Sequence, residues 1–264
     1  MNSQPISILV PTFARTALLC EVVECFRRFT YDGALELVIL NDCDRQTLTC
    51  DTAMPAGRVV RILNQPTFPT FGHKVNALYQ AASHEYLIRI DDDDLLLPDA
   101  VSVLMAKLAT YDGLLGRPSP LARFRKMLQW TGSGMRVRSC SVHHGAVIRR
   151  DAWRASGGLP LLTAGYPDVA FWERMTPQWV VGRWHHELDG HLLAIHRADP
   201  AWDHVEGADR ATGHPPLSQA EWQKRQLARI NIGEEPSGVV DLKPQWSRDW
   251  QADADAVQKV SHGD

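Results

Sequence analysis

Four consecutive aspartates, Asp91 to Asp94, are the residues of this sequence whose type and spacing point most directly to chemistry. Two carboxylates about 4 Å apart repel each other by roughly 1 kcal/mol in water and by about 4 kcal/mol near a protein surface. The cluster is therefore either a fully solvated turn or a site where a cation offsets the charge. It directly follows residues 86–90, an apolar run with the length of a buried strand.

The elements that must position this cluster follow a regular order over roughly the first 110 residues. Apolar runs of strand length occur at residues 6–10, 35–40, 58–63 and 86–90. Segments with helical spacing lie between or after them, beginning after Arg15, around residues 77–81 and at Ala100. Strands that alternate with helices predict an α/β fold with a mostly parallel central sheet flanked by helices.

Polar residues follow three of these predicted strands. Thr12 follows the first strand, Asp42 the second, and the acid cluster the fourth. Because ligands bind outside the carboxyl ends of the strands in such sheets, one shared site is expected there. This position favours a hard divalent cation, Mg²⁺ or Mn²⁺, over a solvated turn.

Two other acidic motifs are excluded by the residues present. A calcium loop that began at Asp91 would need glycine and glutamate where Leu96 and Ser102 stand. A GxxxxGK[ST] nucleotide-binding loop is absent from the sequence.

Four segments together resemble the landmarks of family 2 glycosyltransferases with the GT-A, Rossmann-like fold. They are ISILVPTFAR, LVILNDCDRQT, FGHKVNALYQAASHEYLIRIDDDDLLLPD and GGLPLLTAGYPDVAFWERM. Such enzymes have a Pro-Thr turn, an acid after the second strand, a DxD motif after the fourth, and a catalytic acid after a Gly-Gly turn. The resemblance covers residues 5–200. It implies a metal-dependent, inverting transfer of a sugar from a nucleotide diphosphate sugar, with UDP-sugars first, to an acceptor hydroxyl.

The resemblance also implies which residues form the donor and metal sites. Asp93 would be the main ligand of Mn²⁺ or Mg²⁺, and His196 a late metal ligand with His191 as its rival. The nucleotide-sugar-binding residues would be Pro11, Thr12, Arg15, Asp42, Lys74, Asn76, Asp91 and Asp92. Ala14 and Asn41 depart from the family pattern, so the nucleotide base stays open.

Catalytic and acceptor residues are implied further along the chain. Asp168 would be the base that takes the proton of the acceptor hydroxyl, with Glu173 in reserve. Asp168 could also cap the helix that follows it. Trp172 and Trp153 could stack against a sugar acceptor, or they could be core residues.

A basic stretch, residues 113–150, contains lysine and arginine but no acid. It predicts either a solvated face or an acceptor-side surface for a polyanion. The polyanion would be nucleic acid such as DNA with a modified base, a lipid-linked glycan phosphate, or an anionic membrane.

The remaining features set the context. The chain has 264 residues, 44% of them hydrophobic, and a formal net charge of −3. We expect a GT-A domain over residues 1–204 and a C-terminal helical extension or tail over residues 205–264. Five cysteines without a CxxC pair, no signal peptide and no membrane-spanning run predict a cytoplasmic protein with reduced thiols.

Two other functions remain open at this point. One is a nucleotidyltransferase that uses paired aspartates and Mg²⁺. The other is a non-catalytic module that binds a nucleotide sugar or a glycan.

Overall fold

The computed structural model of the protein describes residues 3–124, 126–139, 146–161, 170–171, 192–197 and 218–262. The helices within these ranges are α1 (Thr16–Arg28), α2 (Phe71–Ala81), α3 (Ala100–Leu115), α4 (Arg150–Ala155), α5 (Gln219–Asn231) and α6 (Trp250–His262). The strands are β1 (Ile6–Thr12), β2 (Leu35–Asn41), β3 (Gln46–Thr49), β4 (Arg58–Asn64), β5 (Tyr86–Arg89), β6 (Asp94–Leu96), β7 (Leu121–Arg123), β8 (Lys126–Trp130), β9 (Met135–Ser139), β10 (Ala146–Arg149), β11 (Ala194–Arg197) and β12 (Gly238–Asp241).

The central sheet has six strands in the order β4-β2-β1-β5-β10-β7. Strands β4, β2, β1 and β5 are parallel, and β10 pairs antiparallel with both β5 and β7. All residues of β1 and β2 are buried, which explains why both strands are almost continuous apolar runs. The predicted α/β fold with a mostly parallel sheet is confirmed.

Helices cover both faces of this sheet because successive side chains of a strand point to opposite sides. Ile8 and Val10 of β1 belong to one core cluster, together with Leu19 and Val22 of α1. Leu9 belongs to the other cluster, together with residues of α2 and α4. The central strands are thereby held from both sides.

A second sheet, with strand order β6-β11-β8-β9, lies beside the end of β5. Strand β11 pairs antiparallel with β6 and parallel with β8. In this register His196 lies opposite Asp94. The sequence also predicts a pair of strands late in the chain, from the apolar runs at residues 179–184 and 191–196. The second of these strands corresponds to β11, and the first lies outside the described residues.

The C-terminal residues pack back onto the domain. Helix α5 begins after Ser218, whose side chain forms a capping box with Glu221. Strand β12 pairs parallel with β3, and Trp250 at the start of α6 is 1% exposed within the main core cluster. The boundary at residue 204 lies outside the described residues, so the division into domain and extension stays a prediction.

Within the part of the chain that the structure describes, no helix combines the length and the apolar character needed to cross a membrane.

Candidate functional site

The acid cluster lies at the carboxyl ends of the parallel strands, between β5 and β6. We call residues Asp91 to Asp94 the acid loop. Asp92, Asp93 and Asp94 are buried, and Asp91 is half-buried. Asp91, Asp93 and Asp94 each offer a carboxylate oxygen, and these oxygens lie within 4.8 Å of one another. Such a set of oxygen ligands matches the preference of Mg²⁺ and Mn²⁺.

Arg15 binds two of the four acids. Its Nη1 donates to Asp92 Oδ1 at 2.7 Å and its Nη2 to Asp93 Oδ2 at 2.8 Å. The chain turns toward the acid loop at Ala14, which has a positive φ of 53°, a conformation that is uncommon for alanine. The predicted donor-site residue Arg15 is therefore next to the acid loop, where its charge offsets part of the repulsion.

Asp92 is tied to the end of β1. Thr12 Oγ1 donates to Asp92 Oδ2 at 2.8 Å, and Pro11, which precedes Thr12, is buried and paired with Leu40. Burial raises the pKa of Asp92 above its ordinary value; Arg15 and Thr12 limit the rise, and the nearby Asp93 adds to it. Asp92 thus anchors the acid loop to the first strand.

His196 reaches the acid loop through the pairing of β11 with β6. Its Nδ1 lies 2.9 Å from Asp94 Oδ1, and both side chains are buried. The two predicted metal ligands, Asp93 and His196, are therefore brought to the same loop, with Asp94 beside them. Asp94 and His196 are 102 positions apart in the sequence.

Arg197, the next residue, is fully buried and contacts the backbone of the acid loop. Its Nε donates to the carbonyl oxygen of Asp93 at 2.5 Å and its Nη2 to that of Asp92 at 3.0 Å. Its Nη1 donates to Glu21 Oε2. Arg89, at the end of β5, lies 3.2 Å from Asp91 in an ion pair.

Lys74 and Asp42 form a buried pair between the first two strands. Lys74 Nζ donates to the carbonyl oxygen of Thr12 at 2.6 Å and to Asp42 Oδ1 at 2.5 Å. The other carboxylate oxygen of Asp42 accepts the backbone N–H of Phe68 at 3.2 Å. Both predicted donor-binding residues thus make internal contacts that join the end of β1 to the end of β2.

Asn76 holds the segment after the Gly-Gly turn. Its Nδ2 donates to the carbonyl oxygen of Leu159 at 2.9 Å, and its Oδ1 accepts the N–H of Leu159 at 2.8 Å. A Cβ on Gly158, which has a φ of +71°, would lie 2.6 Å from Asn76 Oδ1. Glycine is therefore needed there for the clamp to form.

Trp153 is 7% exposed and stacks on Tyr79, with ring centroids 5.1 Å apart and an interplanar angle of 17°. One ring face is thus covered by protein. The roles of Asn76 in donor binding and of Trp153 in acceptor binding stay predictions.

Several predicted site residues lie outside the described residues. These are Asp168, Glu173, Trp172 and His191.

Two arginines of the basic stretch make internal contacts. Arg149 donates to Asp112 Oδ2 at 2.6 Å and to the Tyr86 hydroxyl at 2.7 Å. Arg150 donates to the carbonyl oxygen of Ala82. Part of the basic charge in residues 113–150 therefore stabilises the fold instead of facing a partner.

Glu21 and Arg197 were not predicted as site residues from the sequence. One feature of the sequence could have indicated a buried role for Arg197: it directly follows His196 at the end of an apolar run of strand length. Glu21 has no such feature, because a glutamate between apolar positions of an amphipathic helix is normally an exposed residue.

Residues 7–120 match the family model described as glycosyl transferase family 2. These residues are therefore similar to a family 2 glycosyltransferase domain over somewhat less than half of the chain. The match includes the acid loop and the ends of β1, β2 and β5, and it confirms the predicted family and the prediction of a glycosyltransferase. No curated protein sequence matches the chain.

Solved structures with a similar fold include S. aureus TarS. TarS 1–349 in complex with UDP has a TM-score of 0.54 at 14% identity, covering 88% of this chain and 72% of that chain. The complex of TarS 1–349 with UDP-GlcNAc has a TM-score of 0.54 at 12% identity, over 88% and 73% of the two chains. The GT-A fold of the family 2 domain is thereby confirmed.

A further similar structure is the mannosyltransferase PcManGT from Pyrobaculum calidifontis in complex with GDP-Man and Mn²⁺. It has a TM-score of 0.49 at 13% identity, over 88% of this chain and 71% of that chain.

Proposed function

We propose that this glycosyltransferase uses a divalent cation to transfer a sugar, with inversion, from a nucleotide diphosphate sugar to an acceptor hydroxyl. The observation that carries the proposal is the acid loop at the carboxyl ends of the strands, where three aspartates offer oxygens within 4.8 Å. A UDP-sugar is the first donor to test, since the TarS structures of similar fold hold UDP and UDP-GlcNAc.

The residues of the acid loop fit a bound cation. Asp91, Asp93 and Asp94 would hold it, with His196 beside Asp94. Carboxylate oxygens suit Mg²⁺ and Mn²⁺, and Mn²⁺ also accepts an imidazole nitrogen, so Mn²⁺ is the first ion to test. When bound, such a cation supplies Lewis-acid stabilisation of the negative charge that develops on a diphosphate leaving group.

The chain's own residues then have separate tasks. Thr12 holds Asp92 in place, and Arg15 offsets part of the charge of Asp92 and Asp93. The Asp42–Lys74 pair fixes the ends of the two strands that border the donor site. Asp168 is our candidate for the base that accepts the proton of the acceptor hydroxyl, with Glu173 in reserve.

The acceptor is proposed only as a hydroxyl compound. Trp172 and Trp153 remain candidates for stacking on it, and a polyanionic acceptor, either DNA or a lipid-linked glycan, stays open for the basic stretch. We further propose a cytoplasmic enzyme, since the described cysteines, Cys20, Cys25, Cys43 and Cys50, are free thiols.

Calorimetric binding of UDP, GDP, CDP and dTDP, each with and without Mn²⁺, tests the proposal. We expect one diphosphate to bind only with Mn²⁺, and its affinity to fall at least about 100-fold in Asp93→Ala, since even residues that only orient metal ligands cost 10–100-fold. The matched control is Asp32→Ala, an exposed aspartate in a loop, which should bind like the wild type.

This titration, together with activity assays on nucleoside triphosphates and on nucleotide sugars, separates the alternatives. If no nucleoside diphosphate binds under any metal condition, the proposal is wrong. If a nucleoside triphosphate is consumed with release of pyrophosphate, the protein is a nucleotidyltransferase. Donor binding without turnover, unchanged in Asp168→Ala, would identify a binding module.

A further inference from the structure

We propose that Arg197 and Glu21 are positioning residues of the acid loop, and that the C-terminal residues Ser247 and Trp250 support the metal site through them. The proposal rests on the proposed function, because it concerns the geometry of a cation site formed by the acid loop.

Arg197 contacts the backbone of the acid loop at two successive residues. The carbonyl oxygens of Asp92 and Asp93 accept hydrogen bonds from one guanidinium group, at 3.0 Å and 2.5 Å. The planar guanidinium has a fixed donor geometry. The two carbonyls are therefore held at a fixed spacing, and with them the directions in which the neighbouring carboxylates leave the chain.

This restraint matters because the carboxylates of the acid loop repel one another. Carboxylates whose oxygens lie within 4.8 Å of one another would move apart if the backbone allowed it. Because Arg197 donates to backbone carbonyls of the acid loop, it can hold the loop in shape while the carboxylates offer their oxygens to a cation. Groups in this position around a metal site orient the ligands.

Glu21 holds Arg197 from the opposite side. Its Oε2 accepts Arg197 Nη1, and both side chains are buried. Its Oε1 accepts the backbone N–H of Ser247 at 2.8 Å and the indole N–H of Trp250 at 3.3 Å. One carboxylate of α1 thus connects the C-terminal segment to the arginine that holds the acid loop.

Trp250 is itself held firmly. It is 1% exposed, and its ring packs edge-on against Trp130, with centroids 5.9 Å apart. The Arg248 guanidinium lies 3.9 Å from the centre of the Trp130 ring. The connection from Trp250 through Glu21 and Arg197 to the acid loop therefore starts from a fixed point.

A purely structural role for this network is the competing explanation, because breaking a buried ion pair destabilises any protein. The two roles differ in one measurable quantity. A positioning network changes the affinity of the folded protein for a metal ion, whereas a structural network changes only the stability.

The first test compares two tryptophans of the same segment. Trp250→Phe removes the indole bond to Glu21, and the matched control Trp246→Phe removes an indole bond to Cys25 Sγ, which is also 3.3 Å long and also made to α1. Since one hydrogen bond contributes about 1 kcal/mol, we expect Trp250→Phe to weaken Mn²⁺ binding by about two- to five-fold. Trp246→Phe should leave it unchanged.

The second test compares two glutamates of α1. Glu21→Gln removes the charge that holds Arg197. The control is Glu24→Gln, one turn further along, whose hydrogen bonds among the described residues are with Arg27 and Arg28. We expect Glu21→Gln and Arg197→Lys to weaken Mn²⁺ binding by about 10- to 100-fold and Glu24→Gln to have no effect on it. In turnover, excess Mn²⁺ should restore the kcat of Glu21→Gln, since the loss is one of metal affinity.

All variants are full-length chains, and Mn²⁺ binding is measured without nucleotide by electron paramagnetic resonance of the free ion. Circular dichroism identifies the folded variants, and Trp250→Phe, the mildest change, decides the question if the charge variants fail to fold. If the wild type binds Mn²⁺ and Trp250→Phe binds it equally well, the positioning role is wrong while the proposed function stands. If the wild type itself binds neither Mn²⁺ nor a nucleoside diphosphate, the proposed function is wrong.

Discussion

Carboxylates are buried at both ends of the central sheet, but the donors and cations around them differ between the two ends. At the amino end, a single acid, Glu36 of β2, lies opposite Ser7 of β1. At the carboxyl end, the four acids of the acid loop lie beside one another. The same sheet therefore allows a structural carboxylate to be compared with the carboxylates of a proposed cation site.

Glu36 has a donor for each of its oxygens. Ser7 Oγ donates to its Oε1 at 2.5 Å, and Arg61 and Ser83 Oγ donate to its Oε2, each at 2.9 Å. Burial acts to raise the pKa of Glu36, but the hydrogen bonds from Ser7, Ser83 and Arg61 outweigh it and lower the pKa below its ordinary value. This arrangement is complete without a ligand.

The acid loop is different because two of its acids, Asp92 and Asp93, share one arginine. Among the described residues, Arg15 pairs with both Asp92 and Asp93, Arg89 pairs with Asp91, and Arg197 donates to the loop backbone and also to Glu21. Carboxylates that share arginines retain a local excess of negative charge, which a further cation would offset. The comparison teaches that the distribution of donors, and not burial alone, distinguishes a binding site from a structural acid.

Among the changes that test this comparison, Arg15→Gln is expected to have the largest effect on stability. Without metal, the loss of the guanidinium leaves Asp92 and Asp93 without their shared cation and should lower the free energy of unfolding by about 3–5 kcal/mol. With Arg15 gone, Mn²⁺ should bind more tightly than in the wild type, because less positive charge opposes it.

Urea unfolding with EDTA and with saturating Mn²⁺ measures both expectations for Arg15→Gln. Mn²⁺ should recover part of the lost stability, and the gain should exceed that of the wild type. An equal gain in the two proteins would contradict the view that Arg15 offsets the charge of a cation site.

Glu36→Gln is the corresponding change at the amino end, and its expected effect is smaller. The amide keeps the shape of the side chain but disturbs three or more donors, which should lower the free energy of unfolding by about 1–3 kcal/mol. Mn²⁺ should recover none of it. A recovery equal to that of Arg15→Gln would show that metal stabilises the protein generally and not through the acid loop.

The pH dependence of stability gives a second readout of Glu36. Since folding lowers the pKa of Glu36, its contribution is present above the pKa of the unfolded chain and is lost as the pH falls through the folded pKa. The Gln variant should lose less stability than the wild type between neutral and acid pH. Urea unfolding over this pH range measures the difference.

The fold was predictable where strands are buried on both faces. Strands β1 and β2 appear as apolar runs because no residue of either strand faces solvent. Strand β9 (Met135–Ser139) was missed because it is short and alternates arginine with apolar residues. Strand β12 was missed because it contains only four residues, none of them buried.

The site was predictable in its residue types but not in its pairings. Asp42 was placed near the donor because it follows the second strand and matches the family pattern, and Lys74 because of the family resemblance alone. Their bond to each other was not predicted, because it depends on how α2 packs against the ends of two strands. The same holds for His196 and Asp94, which meet only through the pairing of β11 with β6.

Asn76→Ala tests whether this residue binds the donor, as predicted, or only pairs with Leu159. Its expected effect on stability is the smallest of these changes. Asn76 was predicted from the family resemblance to bind the nucleotide sugar, whereas in the structure it clamps Leu159 through two hydrogen bonds. Loss of the clamp should lower the free energy of unfolding by about 1–2 kcal/mol. Turnover should also fall, because the clamped segment leads toward the candidate base Asp168, but Mn²⁺-dependent binding of UDP should stay within about two-fold of the wild type, since no ligand contact is removed.

Asn64→Ala is the matched control, since Asn64 clamps the N–H and carbonyl of Leu48 through the same pair of amide bonds, at 2.9 Å and 3.0 Å. It should cost similar stability without a loss of turnover. Calorimetry of UDP binding and steady-state kinetics on both variants give the answer. If the affinity for UDP falls about ten-fold in Asn76→Ala, a difference of about 1.4 kcal/mol, while it is unchanged in Asn64→Ala, Asn76 contacts the donor directly. The hydrogen bonds between Asn76 and Leu159 would then form only in the protein without bound donor.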